Sequence, residues 1–117
     1  MKMRHGFVTN SSSTSYIIKN ITDKDLTLVD FFEENSYLID NYNDFTFGKE
    51  YTLEEVLQDA RARIEENDTE AFFGPHSCEL RSYGDEDGDS VGNILDYMLR
   101  DGGDSKSFVW RFYEYQR

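Results

Sequence analysis

The apolar positions of this 117-residue chain fall into short runs of two periods, and most runs are closed by a turn or a cap signal. The clearest run lies between Ser82 and Gly103, SYGDEDGDSVGNILDYMLRDGG. There Val91, Ile94, Leu95, Met98 and Leu99 recur at helical spacing and define one buried face. Ser90 is the expected N-cap, because its hydroxyl can accept from an orphan N–H of the first turn. Arg100 suits the negative end of the helix, and Gly102 suits the left-handed position that stops it.

Two earlier helices carry capping boxes. Thr27 opens the first, with Asp30 standing in for the usual Glu. Leu28, Phe31, Phe32, Ile39 and Tyr42 mark its buried face, and Asn35 with Ser36 breaks it in two. Asn41 to Tyr51 reads as a loop or a short strand around Phe45 and Phe47. Thr52 with Glu55 opens the second helix, Leu53 to Asn67, whose apolar face is Leu53, Val56, Leu57, Ala60 and Ile64. Its acids and arginines, including the i,i+4 pair Asp59–Arg63, read as a solvated face.

Strand-like alternation occurs three times, at Ser15–Asn20, Ser77–Tyr83 and Ser107–Tyr115. In the last, Phe108, Trp110 and Phe112 share one side, while Val109, Arg111, Tyr113 and Tyr115 share the other. With bulk on both sides it is either central and covered on both faces or exposes an aromatic face to a partner, and the sheet centre is the expectation. The run NDTEAFFGPHS, with the single proline Pro75, reads as a loop. The order is strand, helix, loop, helix, strand, helix, strand. It predicts an α+β fold: a small mixed or antiparallel sheet with about three helices packed mainly on one face. Residues 1–14 read as a Ser-rich N-terminal arm and residues 15–117 as a single acidic domain.

Charge changes the picture next. There are 24 Asp plus Glu against 12 Lys plus Arg, a formal net charge of -12. Such a chain repels nucleic acid and anionic membrane surfaces, so direct binding to either is not expected. Aromatic residues make up 15% of the chain, which argues for a packed core. It also leaves tyrosines for the surface, where they anchor interfaces well. Cys78 is the single cysteine, so an internal disulfide is not possible. The basic head Met1–His5 is not followed by an apolar stretch of signal-peptide type, and no run is long enough for a bilayer. A reducing, cytoplasmic setting is the expectation, in which the sequons at Asn10, Asn20 and Asn67 carry no weight.

Candidate chemistry is sparse. Two histidines and one cysteine are too few for a structural zinc site with four N/S ligands. Cys78 near His76 lacks a third group or an oxyanion hole. No phosphate loop or Ser-His-Asp spacing stands out, so catalytic residues are not assigned and no cofactor is required. The one metal reading is calcium. Asp85, Asp87 and Asp89 alternate like the first, third and fifth ligands of an EF-hand loop, and Asp96 stands at the twelfth. Ser90 occupies the place of the sixth-position glycine, Gly92 stands where an apolar residue is usual, and the preceding CELRSYG reads as strand. A dipole-complementing turn explains the same acids.

The segment GFVTNSSSTSYII, Gly6 to Ile18, resembles an N-terminal signature, Gly-Phe-Val-Ser/Thr-Asn-Ser-Ser-Ser-x-Ser-Phe/Tyr, of small uncharacterised acidic proteins of bacteriophages and bacteria. The run GDEDGDSVGNILDYMLRDGG and the aromatic C-terminus are similar to segments of acidic phage-encoded proteins. The signature covers about a tenth of the chain. It implies a phage or prophage origin and transfers no catalytic residue.

Taken together, the expectation is a non-enzymatic protein-binding module with a basic partner, such as a host nucleic-acid-binding protein whose groove would accept carboxylates in place of phosphates. Asp85, Glu86, Asp87, Asp89, Asp101 and Asp104, with the acids of the Leu53–Asn67 helix, would supply the negative pattern, and Tyr113 and Tyr115 the aromatic anchors. A virion or assembly component and a calcium-binding module are the alternatives.

Overall fold

The computed structural model describes residues 13–46 and 50–116. Its elements run β1 (Ser13–Asn20), β2 (Leu26–Thr27), α1 (Leu28–Glu34), α2 (Tyr37–Phe45), α3 (Leu53–Glu65), β3 (Phe72–Phe73), β4 (Cys78–Gly84), α4 (Ser90–Met98), β5 (Gly103–Asp104) and β6 (Phe108–Gln116). Single 3₁₀ turns at Thr69–Ala71 and Asp85–Asp87 precede β3 and α4. Four strands form an antiparallel sheet in the order β4-β1-β6-β5, and β2 pairs with β3 in a second, two-stranded one. The fold is α+β.

The C-terminal strand β6 is, as expected, an inner strand of the sheet, and β1 is the other. β1 pairs along its whole length with β4 and with β6. Among the described residues, the outer side of β6 meets the two residues of β5, at Trp110 and Val109. Bulk on both faces of β6 does not mean cover on both: Val109, Phe112 and Tyr113 are exposed by 39%, 45% and 56%. Along β1, Thr14, Tyr16, Ile18 and Asn20 turn one way and are buried, while Lys19 on the opposite side is exposed. That alternation places the helices over one face.

The core closes on that face. Phe31 of α1 meets Phe108 and Trp110 of β6 edge-on, at ring separations of 5.0 and 5.3 Å. Val91, Ile94, Leu95 and Leu99 are fully buried, as the helical spacing predicts, and Met98 packs at the margin. Each such large apolar side chain contributes about 1.5–3 kcal/mol by leaving water. Asn20 pins the corner after β1. Its amide donates to the carbonyls of Lys24, Phe73 and Gly74, and its Oδ1 accepts from the backbone N–H and hydroxyl of Thr22. A buried amide so fully partnered fixes the chain path without leaving polar atoms orphaned.

Both capping boxes form, Thr27 with Asp30 and Thr52 with Glu55. The break at Asn35–Ser36 also stands between α1 and α2. The segment after it differs from expectation, because helix continues through Phe45. Asn43 explains this: its side chain donates to the Tyr51 carbonyl at 2.8 Å and accepts the Tyr51 N–H at 2.9 Å. That clamp ties the helix end to the start of α3. Phe47 lies outside the described residues. α3 ends at Glu65, just before Asn67, which adopts a left-handed φ of 58°. The loop read at 67–77 contains β3, whose Phe73 is buried. Ser13 and Thr14, read as the end of an arm, belong to β1. The rest of that arm, residues 1–12, lies outside the described residues.

Candidate interaction surface

The acidic loop before α4 turns inward, and Arg63 is the reason. This residue of α3 is 2% exposed, so the solvated face predicted for α3 is corrected at this position. Asp89 grips it from two sides: Nε donates to Oδ2 and Nη2 to Oδ1, both at 2.9 Å. Nη2 also donates to Asp87 Oδ2 at 3.0 Å. Nη1 lies 3.6 Å from Asp68 Oδ2, an ion pair without a hydrogen bond. Burial alone would lower the guanidinium pKa. The hydrogen bond and charge of Asp89, with the charge of Asp87, outweigh it and push the pKa up.

Three local features build this cluster. Asp89 is the N-cap of α4, accepting from the Gly92 N–H at 2.8 Å, where the sequence pointed to Ser90. Ser90 is displaced because Asp59 holds its N–H at 3.0 Å and its hydroxyl at 2.6 Å. Asp59 therefore serves α4 rather than the expected pair with Arg63. Gly92 permits the close approach: a Cβ there would collide with the Gly84 carbonyl and lie 2.7 Å from Asp87 Cβ. Gly88 turns the loop with φ 78°.

A second cluster lies toward the other end of α4. Asp96 is fully buried and accepts from the Thr14 hydroxyl at 2.6 Å and from Arg100 Nη2 at 3.1 Å. Arg100 Nε donates to the Asp96 carbonyl at 2.8 Å, and the Tyr16 hydroxyl donates to the same oxygen. Burial lowers and the bond to Asp96 raises the Arg100 pKa, with a net rise.

The four acids proposed as calcium ligands thus divide. Asp87 and Asp89 hold Arg63, Asp96 holds Arg100 and Thr14, and Asp85 is exposed. Among the described residues no group of three or more His, Cys, Asp or Glu side chains is placed to hold a metal ion. Cys78 is exposed, and His76 occupies a left-handed turn of φ 55°. Among the described residues no helix is long and apolar enough to cross a membrane.

The proposed anchors also divide. A bulge in β6 sets Ser15 opposite Glu114 and Tyr16 opposite Phe112, so Tyr113 is the extra residue. Past it, Tyr115 pairs with Thr14 and joins the helix side of the sheet, while Tyr113 stays on the other side. The single face predicted for these two tyrosines is corrected accordingly. Tyr115 meets Arg100, whose guanidinium carbon lies 4.7 Å from its ring centre and 4.6 Å from that of Tyr97. Tyr97 in turn lies 5.4 Å from Phe45 of α2.

An aromatic strip therefore crosses the outer side of α4: Phe45, Tyr97, Arg100, Tyr115. Phe45 is 57% exposed and the two tyrosines 38% each. Beneath it, Tyr42 stacks on Tyr51, whose hydroxyl accepts from Asn93 of α4. Burial, with Tyr51, Tyr97 and Asp96 nearby, raises the Tyr42 pKa. Asp44 precedes Phe45 and Asp101 follows Arg100, both exposed, as is Asp104. The strip was partly legible, since Tyr97 and Arg100 at i,i+3 can meet on a helix surface. No family model, curated protein or solved structure matches the chain.

Proposed function

We propose that this chain is a non-enzymatic protein-binding module whose acidic surface, studded with aromatic side chains, docks a basic protein. One observation carries the reading. Despite the two internally paired clusters, exposed acids remain on three of the four helices and beyond the fourth: Glu33 on α1, Asp40 and Asp44 on α2, Glu54 and Glu65 on α3, and Asp101 and Asp104 after α4. Paired with exposed aromatic rings, such a surface supplies long-range attraction and short-range contact. A partner built to bind nucleic acid fits this chemistry, because its cations accept carboxylates in place of phosphates. On this reading the protein acts as an inhibitor of such a partner, and a phage origin accords with the signature at Gly6–Ile18. The inward turn of Asp87 and Asp89 moves the negative pattern from the loop to the helices.

The test is affinity capture from bacterial lysate at low and at high salt, with bound proteins identified by mass spectrometry and then purified for direct binding. The Debye length falls from about 30 Å at 0.01 M salt to about 3 Å at 1 M. A basic partner that is released across that range supports the reading. A partner held equally at both salts removes its electrostatic basis.

A further inference from the structure

We infer that the outer edge of β4 is a docking surface for a second copy of this chain, which adds its own β4 antiparallel about Leu80 and joins the two four-stranded sheets into one. The inference goes beyond the partner reading above, which concerns the helix layer. β4 ends the sheet, and among the described residues no strand pairs with its outer side. The Ser77 carbonyl just before it points inward, to the Asn20 N–H, while the Ser82 N–H points outward and donates to Glu70 Oε2 at 3.2 Å. Alternation turns the backbone groups of Cys78 and Leu80 outward with it. Such an edge is a template for another strand. The Leu80 carbonyl takes Arg81 Nη1 at 3.2 Å, and a carbonyl oxygen accepts two donors.

The edge is complementary to itself. Antiparallel pairing about Leu80 sets Leu80 against the partner's Leu80, and each N–H donates to the other's carbonyl. Glu79 then stands across from the partner's Arg81, and Arg81 across from the partner's Glu79. Both project on the helix side of the strand, opposite Ile18 and Tyr16, and already lie 3.8 Å apart within one copy. Charge on an edge strand ordinarily repels a second copy, but opposite charges directly across from each other attract. Arg81 is held, with Nη2 on the Phe72 carbonyl and its guanidinium over the Phe73 ring, so Glu79, 43% exposed, is the side chain that moves. On the other face Leu80, 50% exposed, covers its counterpart. The pairing is short, because Glu70 holds the Ser82 N–H. Its two-fold axis stands perpendicular to the sheet, so both helix layers face the same way and the two copies present their acids together.

The experiment is sedimentation of the full-length chain over a concentration series at about 0.15 M salt, where a Debye length of about 8 Å screens the repulsion between two acidic molecules. A reversible monomer–dimer equilibrium is expected. Leu80→Lys and Glu79→Arg each weaken it by about tenfold, and Glu79→Arg combined with Arg81→Glu restores it. A disulfide trap fixes the register, with oxidised glutathione as the oxidant. Cα atoms in the Leu80 pair stand about 5.5 Å apart, within the roughly 4.4–6.8 Å that a disulfide spans. Leu80→Cys in a Cys78→Ser background therefore cross-links into dimers. Val109→Cys in the same background, on the same sheet face but away from the edge, stays monomeric. A chain that is monomeric at millimolar concentration, a dimer indifferent to Leu80→Lys, or equal cross-linking from positions 80 and 109 overturns the assignment. If the charge exchange unfolds the chain, Leu80→Lys and the disulfide trap still decide.

Discussion

Arg63 and Arg100 are built from the same parts and do different things. Each pairs with an aspartate, and each lies near tyrosine: Arg63 at 5.7 Å from the Tyr83 ring, Arg100 at 4.6 and 4.7 Å from Tyr97 and Tyr115. Their depth separates them. The side chain of Arg63 is 2% exposed and that of Arg100 33%. A guanidinium withdrawn from water must have its charge and donors matched inside, so Arg63 gathers the acidic loop around itself. One at the surface keeps water on part of its edge and can stack rings against its faces. Burial turns the first guanidinium into a fold determinant, and exposure leaves the second partly at the surface.

The sharpest way to break this comparison is to remove each cation. Arg63→Met removes the guanidinium that faces Asp87, whose side chain is fully buried, and Asp89. The expected loss is about 3–5 kcal/mol, as for other broken buried pairs. That is a large part of the roughly 5–15 kcal/mol that holds a domain together. Urea unfolding followed by tryptophan fluorescence reads it, with Trp110 as the single reporter. Arg63→Lys does not restore the loss, because a lysine cannot bridge both oxygens of Asp89. A loss under about 1 kcal/mol would place the cluster among surface ion pairs.

Alkaline pH tests the tyrosines near the two arginines. Burial, aided by Glu70 and opposed by Arg63, raises the Tyr83 pKa, and burial, opposed by Arg100, raises that of Tyr16. Both folded values lie above the roughly 10 of an unfolded tyrosine. Below pH 10 neither ionises in either state, and the full stability is present. Above it the unfolded chain releases protons that the folded chain keeps, so stability falls by up to about 1.4 kcal/mol per pH unit for each tyrosine. Unfolding curves at pH 9, 10 and 11 measure the slope. Tyr83→Phe should lower it by about half, and a slope that Tyr83→Phe leaves unchanged would mean that Tyr83 ionises with the fold intact.

Arg100→Ala should cost less, about 1.5–3 kcal/mol, because the fully buried Asp96 loses a charged donor while Thr14 continues to donate to it, and the guanidinium itself is a third exposed. Thermal unfolding gives the comparison with Arg63→Met directly. Equal losses from the two substitutions would erase the distinction drawn from depth.

The sequence carried what local chemistry dictates. Thr27 and Thr52 with their acids three residues on specify helix starts, and Val91, Ile94, Leu95 and Leu99 specify a buried face. What it hid depends on residues distant along the chain. Arg63 and Asp59 have perfect helical spacing for each other, yet each takes a partner more than twenty residues away. Asp89 and Ser90 are both good caps, and only the competing hold of Asp59 on Ser90 decides between them. Likewise the alternation of β6 is regular on paper, and only its register against β1 reveals the bulge that parts Tyr115 from Tyr113.

Calcium gives the smallest expected effect and probes the same cluster from the other side. For a calcium ion to sit between Asp87 and Asp89, those carboxylates must let go of Arg63, leaving a buried guanidinium facing a dication. Asp96 cannot join them without releasing Thr14 and Arg100. Millimolar calcium should therefore leave the melting temperature unchanged against a magnesium control. Binding at 100 times the dissociation constant would add about 2.7 kcal/mol, which a thermal scan detects readily. A calcium-specific rise would show that the loop can exchange its internal cation for an external one. Arg63→Met then becomes the deciding variant. If calcium stabilises it more than wild type, the ion is taking the place that the guanidinium holds, and the inward turn of the loop is a response to positive charge from either source.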